Sequence, residues 1–158
     1  MHLTALIALA TPPGVVVSVS PAHLLLPLAE VQVEAPLSAR LAVVLIAGAG
    51  AIALDPARRY TVLEGGGQVR LYPVPDAGAH LAVEALASHA AGREGQASSL
   101  GAGALAGWQW ESDQLVVEVG AGAGYRLARH HAHADGRALT HGERGLQPIL
   151  NLNLGYRF

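Results

Sequence analysis

Residues 149–158 read Ile-Leu-Asn-Leu-Asn-Leu-Gly-Tyr-Arg-Phe. Leu150, Leu152, Leu154, Tyr156 and Phe158 share one parity, while Asn151, Asn153, Gly155 and Arg157 share the other. Such alternation marks a strand, because residues two apart lie on one face of a strand but on different sides of a helix. The same rule recurs upstream. Glu30, Gln32 and Glu34 oppose Val31 and Val33, and Glu64, Gln68 and Arg70 oppose Leu63, Val69 and Leu71. Glu118 and Arg126 oppose Leu115, Val117, Val119, Tyr125 and Leu127. No charge enters the apolar face of these segments.

Turn-forming residues divide the chain into eight expected strands, at about 14–21, 24–35, 40–54, 60–73, 79–90, 99–111, 114–128 and 147–158. The first is short and apolar on both parities; without it the count is seven. Tight connections fall at Pro36-Leu37-Ser38-Ala39, at Val74-Pro75-Asp76-Ala77-Gly78 and at Ser112-Asp113. Longer polar ones fall at 55–59, 92–98 and 130–145. Short and long connections thus alternate, as in up-and-down membrane barrels.

Composition agrees with a barrel. The 158 residues are 51% hydrophobic and only 14% charged, against about a quarter charged in a usual soluble domain. Nineteen Gly and nine Pro argue against a helical bundle. A net charge of −2 gives no basic footprint and little electrostatic support for nucleic-acid binding, and the lack of Cys excludes thiolate metal sites, disulfides and cysteine nucleophiles. The longest apolar run, Leu41 to Leu54, is too short for a membrane-spanning helix and contains Gly48 and Gly50. Residues 1–13, with Ala8-Leu9-Ala10 before Thr11-Pro12-Pro13, fit either the tail of a secretory signal or a plain apolar segment. Residues 14–158 are read as one domain. Parity alone does not say which face is inside. The scarcity of charge, with basic residues that are nearly all Arg, favours an apolar exterior.

The closing stretch resembles the terminal strand of bacterial outer-membrane β-barrels, and the chain as a whole resembles the small eight-stranded barrels of the OmpA/OmpX type, including poorly characterised Gly-rich families. The resemblance covers 14–158 as a pattern and the last ten or so residues as a motif. It implies a closed antiparallel up-and-down transmembrane barrel in the outer membrane of a Gram-negative bacterium. It also implies an assembly signal in Leu152, Leu154, Tyr156 and Phe158, read by the barrel-assembly machinery. Outer-membrane lipid is then the surrounding partner, and Trp108 and Trp110 join Tyr156 and Phe158 in an interfacial aromatic girdle.

The inward parity would carry Glu30, Gln32, Glu34, Glu64, Gln68, Arg70, His80, Glu84, Gln109, Glu111, Glu118, Arg126, Asn151, Asn153 and Arg157. Glycines at 48, 50, 66, 101, 103, 120, 122 and 124 make room for these long side chains, since an eight-stranded barrel is only just wide enough to be filled. A polar network filling the lumen is favoured over a narrow cation-preferring pathway, because an unpartnered charge there is costly. His130, His131, His133 and His141, near Asp135 and Glu143, are weak metal candidates, as they lack fixed ligand spacing and fit a solvated external loop. A likeness to lipid A deacylase barrels fails at the residues. That family pairs a His with a Ser two positions later, whereas His131 is followed so by His133 and His89 by Ala91. The expectation is a structural or interacting barrel acting through external loops, without cofactor or catalytic residues. A narrow pore and a soluble lipocalin-like carrier are the alternatives.

Overall fold

The computed structural model describes residues 14–24, 27–53, 59–75, 77–134 and 137–158. Its eight strands are β1 (Val16–Val19), β2 (Leu28–Ser38), β3 (Leu41–Ala53), β4 (Arg59–Leu71), β5 (Ala79–Gly92), β6 (Gly95–Ser112), β7 (Leu115–Ala134) and β8 (Arg137–Arg157). Each pairs antiparallel with the next, and β1 pairs with β8, so the sheet closes into an up-and-down barrel.

The register sets the shape. Following paired residues from Val19 through Val31, Ala47, Gly65, Ala87, Leu100 and Leu127 leads to Arg144 on β8. Val19 itself pairs with Leu154, ten residues away along the same strand. A stagger of ten over eight strands corresponds to a strand tilt of about 40°. The same stagger lifts the ends of β6, β7 and β8 above those of β3 and β4, as a ribbon on one side.

The structure decides the parity question. Leu45 is 69% exposed and Leu150 76%, whereas Gln32, Gln68, Arg70, Glu118 and Asn153 are buried. The apolar face is therefore outside. It runs from Trp110 to Leu100 on β6, from Leu115 to Leu127 on β7 and from Phe158 to Leu146 on β8. Beyond it the outward positions turn polar, at His89, Ser98, Arg129 and Arg144. At this tilt, these runs of eleven to thirteen residues cover about 25–30 Å along the barrel axis.

Several boundaries differ from the sequence expectation. The segment expected to open the second strand at 24 instead turns inward. Ser20 ends β1, and Pro21–Leu24 form one helical turn, α1, with Pro21 in the first-turn position that tolerates a missing N–H. The connection expected at 92–98 shrinks to a turn at Arg93-Glu94, because Gly95, Gln96, Ala97 and Ser98 pair with both β5 and β7. The long loop expected at 130–145 is instead the upper part of the β7–β8 hairpin, paired up to Ala134 and Arg137. Residues 1–13 and 54–58 lie outside the described residues.

β1 is so short that β8, above Leu154, has no strand partner on that side among the described residues. Arg157 N–H donates to Gln114 on the β7 side, and Phe158 N–H to Val15 on the β1 side. By alternation, even-numbered residues of β8 point their N–H at the β1 side. Pro148 is one of them, so its missing donor falls on the unpaired edge. Lower down, Ser20 Oγ donates to Leu152 O (3.2 Å) and closes the corner where α1 leaves the wall.

Candidate functional site

The interior contains a lower buried network and an upper cluster. Arg70 of β4, 1% exposed, is the centre of the lower one. Its Nη1 donates to Glu34 Oε2 (2.6 Å) and Glu118 Oε2 (2.8 Å), and its Nη2 to Glu118 Oε1 (2.9 Å). Its Nε donates to Gln68 Oε1 (2.9 Å). Tyr72 OH donates to Glu34 Oε1 (2.7 Å), and Asn153 Nδ2 to Gln32 Oε1 (3.3 Å). Val16, Val44 and Val116 fill the remaining space, so no room for a water molecule is left around the guanidinium. His80 stacks at a tilt on Tyr72, ring centres 5.5 Å apart, with Nε2 3.7 Å from Glu118.

This plug separates two spaces. A cavity of about 390 Å³ opens at the Phe158 end, bounded by Glu34, Tyr72, Gln109, Glu111 and Arg157. Arg157 grips Glu111 at that mouth through two hydrogen bonds of 2.5 and 2.8 Å. The other cavity, about 100 Å³, lies on the far side and is lined by Glu64, Glu84, Arg126 and Gln147.

The upper cluster is His23, Glu30 and Glu64, whose ligand-capable atoms all lie within 4.8 Å of one another. Glu30 on β2 and Glu64 on β4 flank Gly48 of β3 in register. A Cβ at Gly48 would stand 3.1 Å from Glu64 Oε1, so the missing side chain is what lets the two carboxylates approach over the intervening strand. α1 brings His23 Nδ1 to 2.9 Å from Glu30 Oε2.

The expected inward set is thus brought together in two groups joined through Gln32, whose Oε1 accepts from Arg70 Nη2 (3.4 Å) and whose Nε2 donates to Glu30 Oε1 (3.0 Å). Gln32, Gln68, Arg70, Glu118 and Asn153 join the lower group, and Glu30 and Glu64 the upper. Gln68 Nε2 donates to Glu84 Oε2 (2.6 Å) and links the two levels. Asn151 is half-buried, Arg157 sits at the mouth, and Arg126 is exposed at the far opening. Part of the lumen is apolar: Ala42, Val44 and Ile46 of β3 and Leu105 of β6 point inward and are buried. Leu152, Leu154, Tyr156 and Phe158 share the outer face of β8, with Tyr156 and Phe158 edge to face at 5.0 Å. Trp108 and Trp110 lie outward near the same end, 6.4 Å apart.

The histidines are not on a loop. His130 and His141 face each other across the β7–β8 hairpin, with Glu143 Oε2 3.8 Å from His130 Nε2 and Glu143 Oε1 3.9 Å from His141 Nε2. His131 pairs with Thr140 on the opposite face of the ribbon, and the side chain of His133 lies outside the described residues. Two features escape a reading of sequence spacing. His23 falls between the first two expected strands, where nothing in the spacing marks it as an interior residue. His89 and Ser98, nine residues apart in sequence, meet across β5 and β6 with Nδ1 2.9 Å from Oγ. They belong to the polar collar above the apolar band.

No known protein-family model matches this chain, and no curated protein matches it in sequence.

Proposed function

We propose that this chain is an integral β-barrel of a Gram-negative outer membrane, with a structural or interacting role and a lumen closed by its own side chains. One observation carries the reading: the barrel is inside-out relative to a soluble one. Arg70, Glu118 and Gln68 are buried while an unbroken belt of Leu, Val, Ala and Trp faces outward. A contiguous apolar belt of this extent has no place on a water-soluble monomer. Its height of about 25–30 Å suits the roughly 25 Å apolar band of membrane barrels. The polar collar of His89, Ser98, Arg129 and Arg144 fits one interface, and Trp108, Trp110, Tyr156 and Phe158 fit the other. A soluble carrier barrel would need the opposite arrangement.

Of the functions open to such a barrel, conduction is the least favoured, because the Arg70 plug leaves no water path through the lower half. External recognition falls to the β7–β8 ribbon, with Arg129, His130, His141, Glu143 and Arg144 along it, rather than to long loops. The expected behaviour is partition into detergent and heat-modifiable migration on a gel, with no single-channel current in a planar bilayer. A chain that stays monomeric and soluble without detergent would overturn the proposal.

A further inference from the structure

The cluster of His23, Glu30 and Glu64 lies above the Arg70 network and touches it through Gln32, and the proposed function makes no use of it. We infer that it is a binding site for a first-row divalent metal ion of the zinc class, with His23 Nδ1, one oxygen of Glu30 and one oxygen of Glu64 as ligands.

Four observations support the assignment. The donor set is one imidazole and two carboxylates, which suits zinc and its neighbours better than calcium or magnesium, whose sites are built of oxygen alone. The donor atoms already lie within 4.8 Å of one another, and side-chain rotation alone would bring them to the roughly 3.3 Å that ligands keep around a tetrahedral ion. Glu64 Oε1 is buried without a hydrogen-bond partner, and His23 Nδ1 is buried against Glu30. His23 Nδ1 lies 2.9 Å from Glu30 Oε2, an ion-pair contact that already holds the imidazole against one of the two carboxylates. Finally, Glu30 is held from behind: Gln32 Nε2 donates to its Oε1 (3.0 Å), leaving Oε2 for the cluster. That support is what an orienting neighbour supplies at a metal site.

The chain is also built to deliver the third ligand. Two neighbouring carboxylates in a barrel interior repel each other unless a proton or a cation lies between them. Ser20 N–H donates to Glu30 O (3.3 Å) and His23 N–H to Ser20 O (3.2 Å), so α1 is tethered directly over the pair. The cavity of about 100 Å³ that Glu64 lines offers room for water next to that ligand, as a three-ligand zinc site needs. A bound ion would staple α1 to β2 and β4 at the place where β1 stops short and the wall lacks a strand.

The test is zinc binding by the full chain, folded in detergent or in buffer as its solubility dictates, by equilibrium dialysis against zinc chloride. Surface histidines are removed first, by His130→Asn, His131→Asn, His133→Asn and His141→Asn together. This background is expected to keep one zinc per barrel. Adding His23→Ala or Glu64→Gln should weaken binding at least tenfold, and cobalt should give the intense visible absorption of a tetrahedral site only where His23 is present. His23 lies on α1, which is not one of the eight paired strands, so its replacement leaves barrel closure intact, as heat-modifiable migration will report. Loss of all binding in the four-histidine background would overturn the inference. So would undiminished binding in both His23→Ala and Glu64→Gln.

Discussion

Arg70 and Glu118 stand on opposite walls of the barrel, on β4 and β7, and are joined through the centre by two hydrogen bonds of 2.8 and 2.9 Å. The pair ties walls that share no backbone ladder, and Glu34 completes it from β2. Arg70→Met would leave Glu34 and Glu118 charged in a space with no water. The expected loss is about 3–5 kcal/mol, the cost of stranding a buried charge. Adding Glu34→Gln and Glu118→Gln should restore most of that loss. Urea unfolding in detergent compares the variants; equal midpoints for wild type and Arg70→Met would show that the plug is hydrated.

The outer belt gives a second prediction. Leu45 is at mid-height on β3 and points outward, so Leu45→Arg should cost about 2–4 kcal/mol on insertion, the penalty for a cation near the bilayer midplane. Val117→Arg acts in the same direction nearer the turn end. Asn153→Ser, inside, keeps a small hydrogen-bonding group and should cost no more than about 1 kcal/mol. Folding yields in lipid vesicles provide the comparison; similar yields for Leu45→Arg and Asn153→Ser would refute a lipid-facing belt.

Adjacent residues on β8 should respond oppositely to proline. Pro148 points its nitrogen at the unpaired edge, so Pro148→Ala is expected to leave stability within about 0.5 kcal/mol. Ile149 points its N–H at β7, and Ile149→Pro removes that ladder bond and should cost about 3 kcal/mol beyond Ile149→Ala. Thermal unfolding of the three variants checks the order.

Deletion of Phe158 separates assembly from stability. Phe158 is 74% exposed and its ring packs edge to face on Tyr156, so its loss should lower stability in detergent by about 1 kcal/mol. If the last strand is the assembly signal, the amount reaching the outer membrane in cells should fall far more steeply. Normal surface levels of the truncated chain would remove the terminal motif from the argument.

Strand number, order and the composition of the two faces were legible in the sequence because, within the apolar band, each strand meets two different media. Wherever that contrast ends, so does legibility. Above the band both faces of β7 and β8 are polar, Arg129 and His131 on one side and His130 on the other, and the period of two disappears. The hairpin therefore reads as a loop although its backbone is paired to Ala134. The turn at Arg93-Glu94 was hidden in the same way by Gln96 and Ser98.

By itself, then, the sequence determined an alternating eight-stranded chain whose polar and apolar residues lie on separate faces. The tertiary structure decided which face is inside, because closure with a stagger of ten residues encloses Arg70, Glu34 and Glu118 and leaves Leu45 and Leu150 outside. It also decided that Glu30 and Glu64, far apart in sequence, become neighbours over Gly48, and that α1 swings His23 onto them. Local parity is set by the geometry of each strand, whereas these meetings depend on register between strands, which exists only once the ring has closed.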